Sequence, residues 1–130
     1  MTIKDLATGI QHIGVPTKDM AASVAFYEAI GFEVAHSNIV PNSNDHVNFM
    51  KLKNLVIEVY ESEDAVGAYG AIEHVAIDVT DIEETFKRIC DLGMNNLNDQ
   101  INYLPFWSNG VKYFTIEGPN KEKVEFGQFL

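Results

Sequence analysis

The chain has 130 residues, of which 46% are hydrophobic and 22% are charged, as in ordinary globular proteins. Its formal net charge is −10, and its nine Lys and Arg residues are scattered, so it lacks the basic patch that nucleic-acid binding needs. No apolar run is long enough to span a membrane, the first residues lack the apolar core of a signal peptide, and the single cysteine suits a reducing compartment. We therefore expect a cytoplasmic protein that acts on a small molecule, with no nucleic-acid or membrane partner.

The sequence contains an internal repeat with an offset of 62 residues, which carries His12 to His74 and Gly31 to Gly93. A matched offset over a whole strand-plus-helix unit is typical of a duplicated module. The repeat predicts a single domain, 1–130, made of two modules at about 9–61 and 71–129. Between the histidine pair and the glycine pair, five further pairs keep or nearly keep their residue type. They are Asp19/Asp81, Met20/Ile82, Val24/Phe86, Tyr27/Ile89 and Ile30/Leu92.

The first module is predicted to contain a strand, a helix and three further strands. Asp19 can cap the start of the helix, and Gly31 can end it. Lys53 and Asn54 are placed to form a tight turn between the last two strands. The predicted strands are 10–15, 32–37, 47–52 and 55–60.

The second module repeats this order. Thr80 or Asp81 can cap its helix, which is predicted to end at Gly93, and an aromatic loop covers 103–110. Two four-stranded sheets with one helix each make an α+β fold of two βαβββ modules. The predicted strands of this module are 72–79, 95–101, 111–117 and 124–129.

Two histidines and two glutamates occupy matched positions in the two modules. His12 and His74 coincide under the repeat, while Glu58 and Glu125 lie in the last strand of each module, each flanked by apolar residues. A glutamate inside such a strand lies either on the wet face or is held inward by a partner. Imidazole and carboxylate together suit a divalent transition metal such as Zn, Ni, Co, Fe or Mn. The symmetry predicts one metal site with all four residues as ligands.

The sequence resembles the vicinal oxygen chelate superfamily over about residues 9–129. The resemblance is carried by Gln-His-Ile-Gly-Val at 11–15, by the helix motif at 22–32 and by the segment 114–125. It implies paired βαβββ modules whose strands form a cupped, incomplete barrel of mixed sheets around a metal, the glyoxalase/bleomycin-resistance type. It also implies a homodimer.

Within this superfamily the ligand pattern is most similar to that of bacterial glyoxalase I, which uses His, Glu, His and Glu. Methylmalonyl-CoA epimerase has Gln where this chain has Glu58, the fosfomycin-resistance type uses only three ligands, and the bleomycin-binding type lacks the metal. Two positions depart from glyoxalase I: Pro16 replaces an arginine and Ser62 replaces an asparagine that contact glutathione there. The departures argue against glutathione as the thiol.

The resemblance implies a metal-dependent lyase or isomerase with Ni, Co, Zn or Mn as cofactor. The metal would act as a Lewis acid on an enediolate, and Glu125 would be the base, with Glu58 its partner on the opposite face. The substrate would be a 2-oxoaldehyde thiol adduct or a related α-hydroxy carbonyl. Two alternatives stay open: an epimerase of an acyl thioester or sugar, and a non-catalytic module that binds or sequesters a ligand.

Four aromatic residues are candidates for contact with the substrate. Trp107 is the strongest of them because it lies in the longest loop of the second module. Their alternative role is that of most aromatic residues, which is to fill a core. The four candidates are Phe49, Tyr103, Phe106 and Trp107.

Overall fold

Each half of the chain folds into one mixed four-stranded sheet that a helix covers on one face. The computed structural model describes residues 1–130, and it confirms the predicted α+β fold with two open sheets. The sheets have the strand orders β1-β4-β3-β2 and β5-β8-β7-β6. None of the three helices is long and apolar enough to cross a membrane. The elements are α1 (Ile3–Leu6), β1 (Ile13–Thr17), α2 (Met20–Ala29), β2 (Glu33–Ile39), β3 (His46–Leu52), β4 (Leu55–Glu61), β5 (His74–Asp78), α3 (Ile82–Asp91), β6 (Asn102–Leu104), β7 (Val111–Glu117) and β8 (Lys123–Phe129).

The first and last strands of each module pair in parallel, and this pairing positions the candidate site. Gly14 in β1 lies opposite Glu58 in β4, and Ala76 in β5 lies opposite Glu125 in β8. Residues two apart on an extended chain share a face of the sheet. The histidine two residues before each small residue therefore lies beside the glutamate of the neighbouring strand.

The two main helices begin and end as the sequence predicts. The side chain of Asp19 accepts a hydrogen bond from the Ala22 N–H at 2.9 Å, and that of Asp81 accepts one from the Glu84 N–H at 3.0 Å. Beyond the last turns, Gly31 has a φ of 105° and Gly93 a φ of 70°, positive values that glycine adopts without strain and that end a helix.

The core lies between the helices and the sheets. In β4 the alternate residues Ile57 and Val59 are buried, and in β8 the same holds for Val124 and Phe126. Because side chains alternate along a strand, the glutamates between these residues point to the other face of each sheet. That inner face is left open to receive a ligand or a partner.

The two modules contact each other through α2 and the turn that precedes β8. The buried Tyr27 hydroxyl donates to Glu122 Oε2 at 3.0 Å, and Asn120 Nδ2 donates to Ser23 Oγ at 2.9 Å. Ser23 also shares a hydrogen bond of 2.9 Å with the buried Thr17 hydroxyl. Burial, with the Glu122 charge adding to it, raises the pKa of Tyr27 above its ordinary value.

The prediction of a strand at 95–101 is wrong, and the edge strand β6 is instead the short segment Asn102–Leu104. The Asn95 side chain donates to the Asp99 carbonyl at 3.1 Å and accepts from the Asp99 N–H at 3.0 Å, while Asn98 has a φ of 50°. Asparagine and aspartate side chains offer the backbone local hydrogen bonds that compete with a sheet. The segment therefore forms a turn.

Candidate functional site

The first half of the candidate site is a histidine–glutamate pair on the inner face of the first sheet. His12 Nε2 lies 3.9 Å from Glu58 Oε1, and both side chains remain partly exposed. The other ring nitrogen, Nδ1, lies 3.0 Å from Gln11 Oε1. A proton on Nδ1 would be donated to that amide oxygen and would leave the lone pair of Nε2 facing Glu58. The Phe49 ring packs edge-on against His12, with the ring centres 5.7 Å apart.

The second half of the site repeats this arrangement on the second sheet. His74 Nε2 lies 3.9 Å from Glu125 Oε2, and its Nδ1 lies 3.5 Å from Glu73 Oε1. Glu73 is the residue that the repeat offset places at Gln11, so each histidine has a side-chain oxygen of the preceding residue near its Nδ1. Burial raises the pKa of Glu125 above its usual value, with the nearby His74 opposing the shift.

The four predicted ligands form two separate pairs within one chain. No group of three or more His, Cys, Asp or Glu side chains is close enough to hold a metal ion. Each pair nevertheless presents one imidazole nitrogen and one carboxylate oxygen to the same open sheet face, with no hydrogen bond between them. These are donors that divalent transition ions accept. Each pair thus fits one half of a metal site.

An apolar cleft of about 440 Å³ adjoins the second pair. It lies on the inner face of β5, β7 and β8, and the segment 104–107 closes one side. Glu125 forms part of its wall, so the cleft and the second pair are contiguous. Trp107 packs edge-on against Phe129 with ring centres 5.3 Å apart, and its φ of 63° is unusual for a bulky residue. The lining residues are Ala76, Ile77, Asp78, Leu104, Phe106, Trp107, Val111, Tyr113, Glu125, Gly127 and Phe129.

The structure places the four predicted aromatic residues in three different environments. Phe106 and Trp107 line the cleft. The Tyr103 ring lies against Gly110, where it would clash with any added Cβ, and it does not line the cleft. Phe49 lies in the first module between the rings of His12 and His36.

Sequence reasoning missed most of the residues that line the cleft. A signal was present, because Ala76 and Asp78 follow His74 at intervals of two residues and so share its sheet face. The same alternation places Gly127 and Phe129 on the face of Glu125. What alternation cannot show is that the segment 104–107 folds over this face.

Comparison with known proteins gives one family and several similar structures. The sequence-family model of the Glyoxalase/Bleomycin resistance protein/Dioxygenase superfamily matches residues 9–126 of this chain. Uncharacterized protein YwbC of Bacillus subtilis (strain 168) is 29% identical over 130 residues, which cover 95% of this chain and 99% of that protein.

Two solved structures illustrate the shared fold. The glyoxalase family protein from Enterococcus faecalis superposes with a TM-score of 0.73 at 23% identity, covering 94% of this chain and 98% of that one. The fosfomycin resistance protein FosX from Listeria monocytogenes, crystallised with Mn(II) and sulfate ion, has a TM-score of 0.70 at 19% identity, covering 95% and 94%.

Proposed function

The chain belongs to the Glyoxalase/Bleomycin resistance protein/Dioxygenase superfamily, and from this premise we propose that it is a metal-dependent lyase or isomerase of the glyoxalase I type. The observation that carries the proposal is the pair of matched half-sites, His12 with Glu58 and His74 with Glu125, each 3.9 Å apart on an open sheet face. The repeat preserves the donor atoms, their spacing and a side-chain oxygen near the Nδ1 of each histidine. A merely structural role would not require that match.

The proposed metal site contains His12, Glu58, His74 and Glu125 and is assembled from two chains. One chain brings only two of these ligands together at a time, so a second copy would supply the missing pair. The accessible surface of one chain is 8671 Å². A compact monomer of this mass is expected to expose about 6,900 Å². The excess is roughly 1,800 Å² per chain, or roughly 3,600 Å² for two chains, which lies in the range that obligate homodimers bury and so supports a homodimer.

The residues of this chain suggest how the reaction would proceed. A divalent ion in the site, Ni, Co, Zn or Mn, would supply Lewis-acid polarisation of a substrate carbonyl oxygen. A carboxylate oxygen of Glu125 accepts the proton from the hydroxyl-bearing carbon next to the carbonyl and returns it to the former carbonyl carbon. The hydroxyl proton passes to the other oxygen, so the step balances as an isomerisation. Glu58 is its counterpart on the opposite side of the substrate.

The substrate that this apparatus fits is a 2-oxoaldehyde thiol adduct or a related α-hydroxy carbonyl. The cleft beside Glu125 would hold its non-reacting part, with Phe106 and Trp107 in contact. Phe49 would contact the substrate from the side of the other pair, since its ring packs against His12. Tyr103, turned toward Gly110, has no such role in the proposal.

Metal content is the first test. We expect about one divalent ion per chain in the reconstituted protein and its loss in His74→Ala and Glu125→Ala, because each removes a ligand. His46→Ala and Glu63→Ala are matched controls, since both residues are exposed and outside the pairs. Elemental analysis after dialysis measures the content. A protein that takes up no metal, or that binds it equally well in all four variants, contradicts the enzyme proposal and leaves a ligand-binding module.

Turnover is the second part of this test. Ni, Zn and Mn forms are screened against methylglyoxal adducts of several thiols by following thioester formation. We expect activity in at least one metal form and a loss of about 100-fold or more in Glu125→Gln, which keeps the shape of the side chain but cannot act as a base. Full activity in that variant would show that another group moves the proton.

A further inference from the structure

The cleft beside Glu125 has a composition that restricts what it can bind. We infer that the substrate carries an apolar group of about aromatic size without negative charge, and that this group occupies the cleft. The inference rests on the proposed function and deepens it by naming the substrate class. It excludes thiols whose carboxylates would have to enter the cleft.

The charge of the lining supports this restriction. Eight of the eleven lining residues are hydrophobic, and the only ionisable acids among them are Asp78 and Glu125. No Lys, Arg or His lines the cleft. In the metal-loaded protein the charges of the ligands Glu58 and Glu125 offset that of the divalent ion, which leaves Asp78 as the uncompensated charge of the lining. An anion that entered the cleft would lose water and face that carboxylate with no lining cation, which is costly in a partly desolvated site.

The nearest lysines along β7 and β8 are occupied elsewhere. Lys123 lies 3.7 Å from Glu73 Oε2 and 4.5 Å from the centre of the Tyr69 ring. Lys112 lies 3.0 Å from Glu83 Oε1, on the helix-covered side of the second sheet. Lys123 borders a separate pocket on the His74 side of Glu125, and neither lysine lines the apolar cleft, so the charge of Asp78 has no lysine partner there.

The aromatic wall of the cleft supports the other half of the inference. Trp107 is 76% exposed, and Phe106 and Phe129 are more than half exposed. Clustered exposed rings of this kind mark a surface that gains free energy when an apolar partner covers it. Rings also attract cations, so a positively charged aromatic group is tolerated, whereas an anion is not. The volume of the cleft falls within the range of small-molecule sites.

Direct binding tests the inference without turnover. Trp107 is the only tryptophan of the chain, so its fluorescence reports on the cleft. The probes are acetophenone, 4-acetylbenzoate and (4-acetylphenyl)trimethylammonium, which share one ring and differ in charge. We expect the neutral and cationic probes to shift the emission and to bind at least roughly fivefold more tightly than the anionic probe. The inference is overturned if 4-acetylbenzoate binds less than about fivefold more weakly than the other two probes, or binds more tightly than they do.

A charge reversal in the cleft tests whether the charge of its wall sets the preference. Asp78→Lys is expected to tighten binding of 4-acetylbenzoate by roughly fivefold or more, because it places a cation in the wall. Glu28→Lys makes the same change of net charge on the exposed side of α2 and should leave the affinity unchanged. Circular dichroism verifies that both variants fold. Asp78→Asn, which removes the charge without reversing it, should tighten binding of 4-acetylbenzoate by a smaller factor. Equal effects of the two lysines would mean that net charge, rather than the cleft, sets the preference.

The outcomes separate this inference from the proposed function. The binding assay uses the metal-loaded assembled protein. If a partner chain placed a cation in the cleft, 4-acetylbenzoate would therefore bind tightly and overturn the inference. An inactive protein that still discriminates among the probes leaves the inference standing without the enzyme. An active enzyme that prefers adducts of anionic aromatic thiols, such as 4-(mercaptomethyl)benzoic acid over benzyl mercaptan, keeps the function and overturns the substrate class.

Discussion

The histidine of each pair has a side-chain oxygen of the preceding residue near its Nδ1, at 3.0 Å for His12 and 3.5 Å for His74. Neighbours on a strand point to opposite faces, so a strand would not bring their side chains together. Gln11 and Glu73 can do so because both precede the first residue of their strands, β1 and β5. An acceptor on Nδ1 sets the tautomer and leaves Nε2 to bind a metal. The repeat keeps this arrangement even though one acceptor is an amide and the other a carboxylate.

Removal of the first acceptor should weaken metal binding. We expect Gln11→Ala to lower affinity for Zn or Mn by about 10- to 100-fold, the usual effect of losing a group that orients a histidine ligand. Gln11→Glu, which retains an acceptor, should restore most of it. Titration calorimetry measures the affinities, with Gln100→Ala as the control because that glutamine is exposed and outside the site. Equal affinities in Gln11→Ala and the control would remove Gln11 from the site.

At the level of elements, α2 and the turn before β8 are joined by polar contacts across the two modules. Tyr27 is fully buried, and its hydroxyl donates to the carboxylate of Glu122. Glu122 also accepts from the Asn120 backbone N–H at 2.8 Å, which holds the turn in place. This contact aligns the two modules within one chain, and with them the two inner faces.

Loss of the Tyr27 hydroxyl should destabilise the protein. We expect Tyr27→Phe to lower the free energy of unfolding by about 1.5–3 kcal/mol, because a buried hydrogen bond to a charged group is lost. Urea denaturation measures the change. Tyr103→Phe is the control, since that side chain is largely exposed. A change no larger than that of the control would mean that Glu122 finds an equivalent partner.

The same contact should make stability depend on alkaline pH. Because the pKa of Tyr27 is raised in the folded state, its contribution is complete below the ordinary tyrosine pKa of about 10 and is lost as the pH rises above it. We expect the free energy of unfolding to fall more steeply between pH 10 and 11 in the wild type than in Tyr27→Phe. Parallel curves for the two proteins would contradict this assignment.

For the whole molecule, the open inner faces matter most. Only 16 of the 130 residues are buried, so much apolar surface remains outside the core of one chain. Part of it lies at the repeat-related residues Ile10 and Ile72, which are 73% and 84% exposed just before the first strand of each module. A second copy that covered these faces would also bring a His12–Glu58 pair to a His74–Glu125 pair.

Complementation between variants tests this assembly. Chains with His12→Ala and chains with His74→Ala should each lose metal as homodimers, because every site then lacks a ligand. In the purified heterodimer one site combines both defects and the other is intact, so we expect about half of the wild-type metal content. Elemental analysis of differentially tagged heterodimers provides the measurement. No recovery in the heterodimer would mean that all four ligands come from one chain.

Much of this protein follows from short-range patterns in its sequence. The helices, their Asp19 and Asp81 caps and the glycines that end them follow from local propensity, which acts within a few residues. The repeat, the α+β class and the histidine and glutamate donors follow from spacing and residue type. The turn at 95–101 escaped prediction because asparagine side chains bonded the backbone locally there.

Tertiary structure decided which of these groups meet. His12 pairs with Glu58 and His74 with Glu125 because parallel pairing joins the first strand to the last within each module, a contact between residues far apart in sequence. The same long-range packing formed the cleft and turned Phe106 and Trp107 into it while it turned Tyr103 away. Periodicity assigns a side chain to a face of its own strand, but only the pairing of distant strands determines what lies beside it.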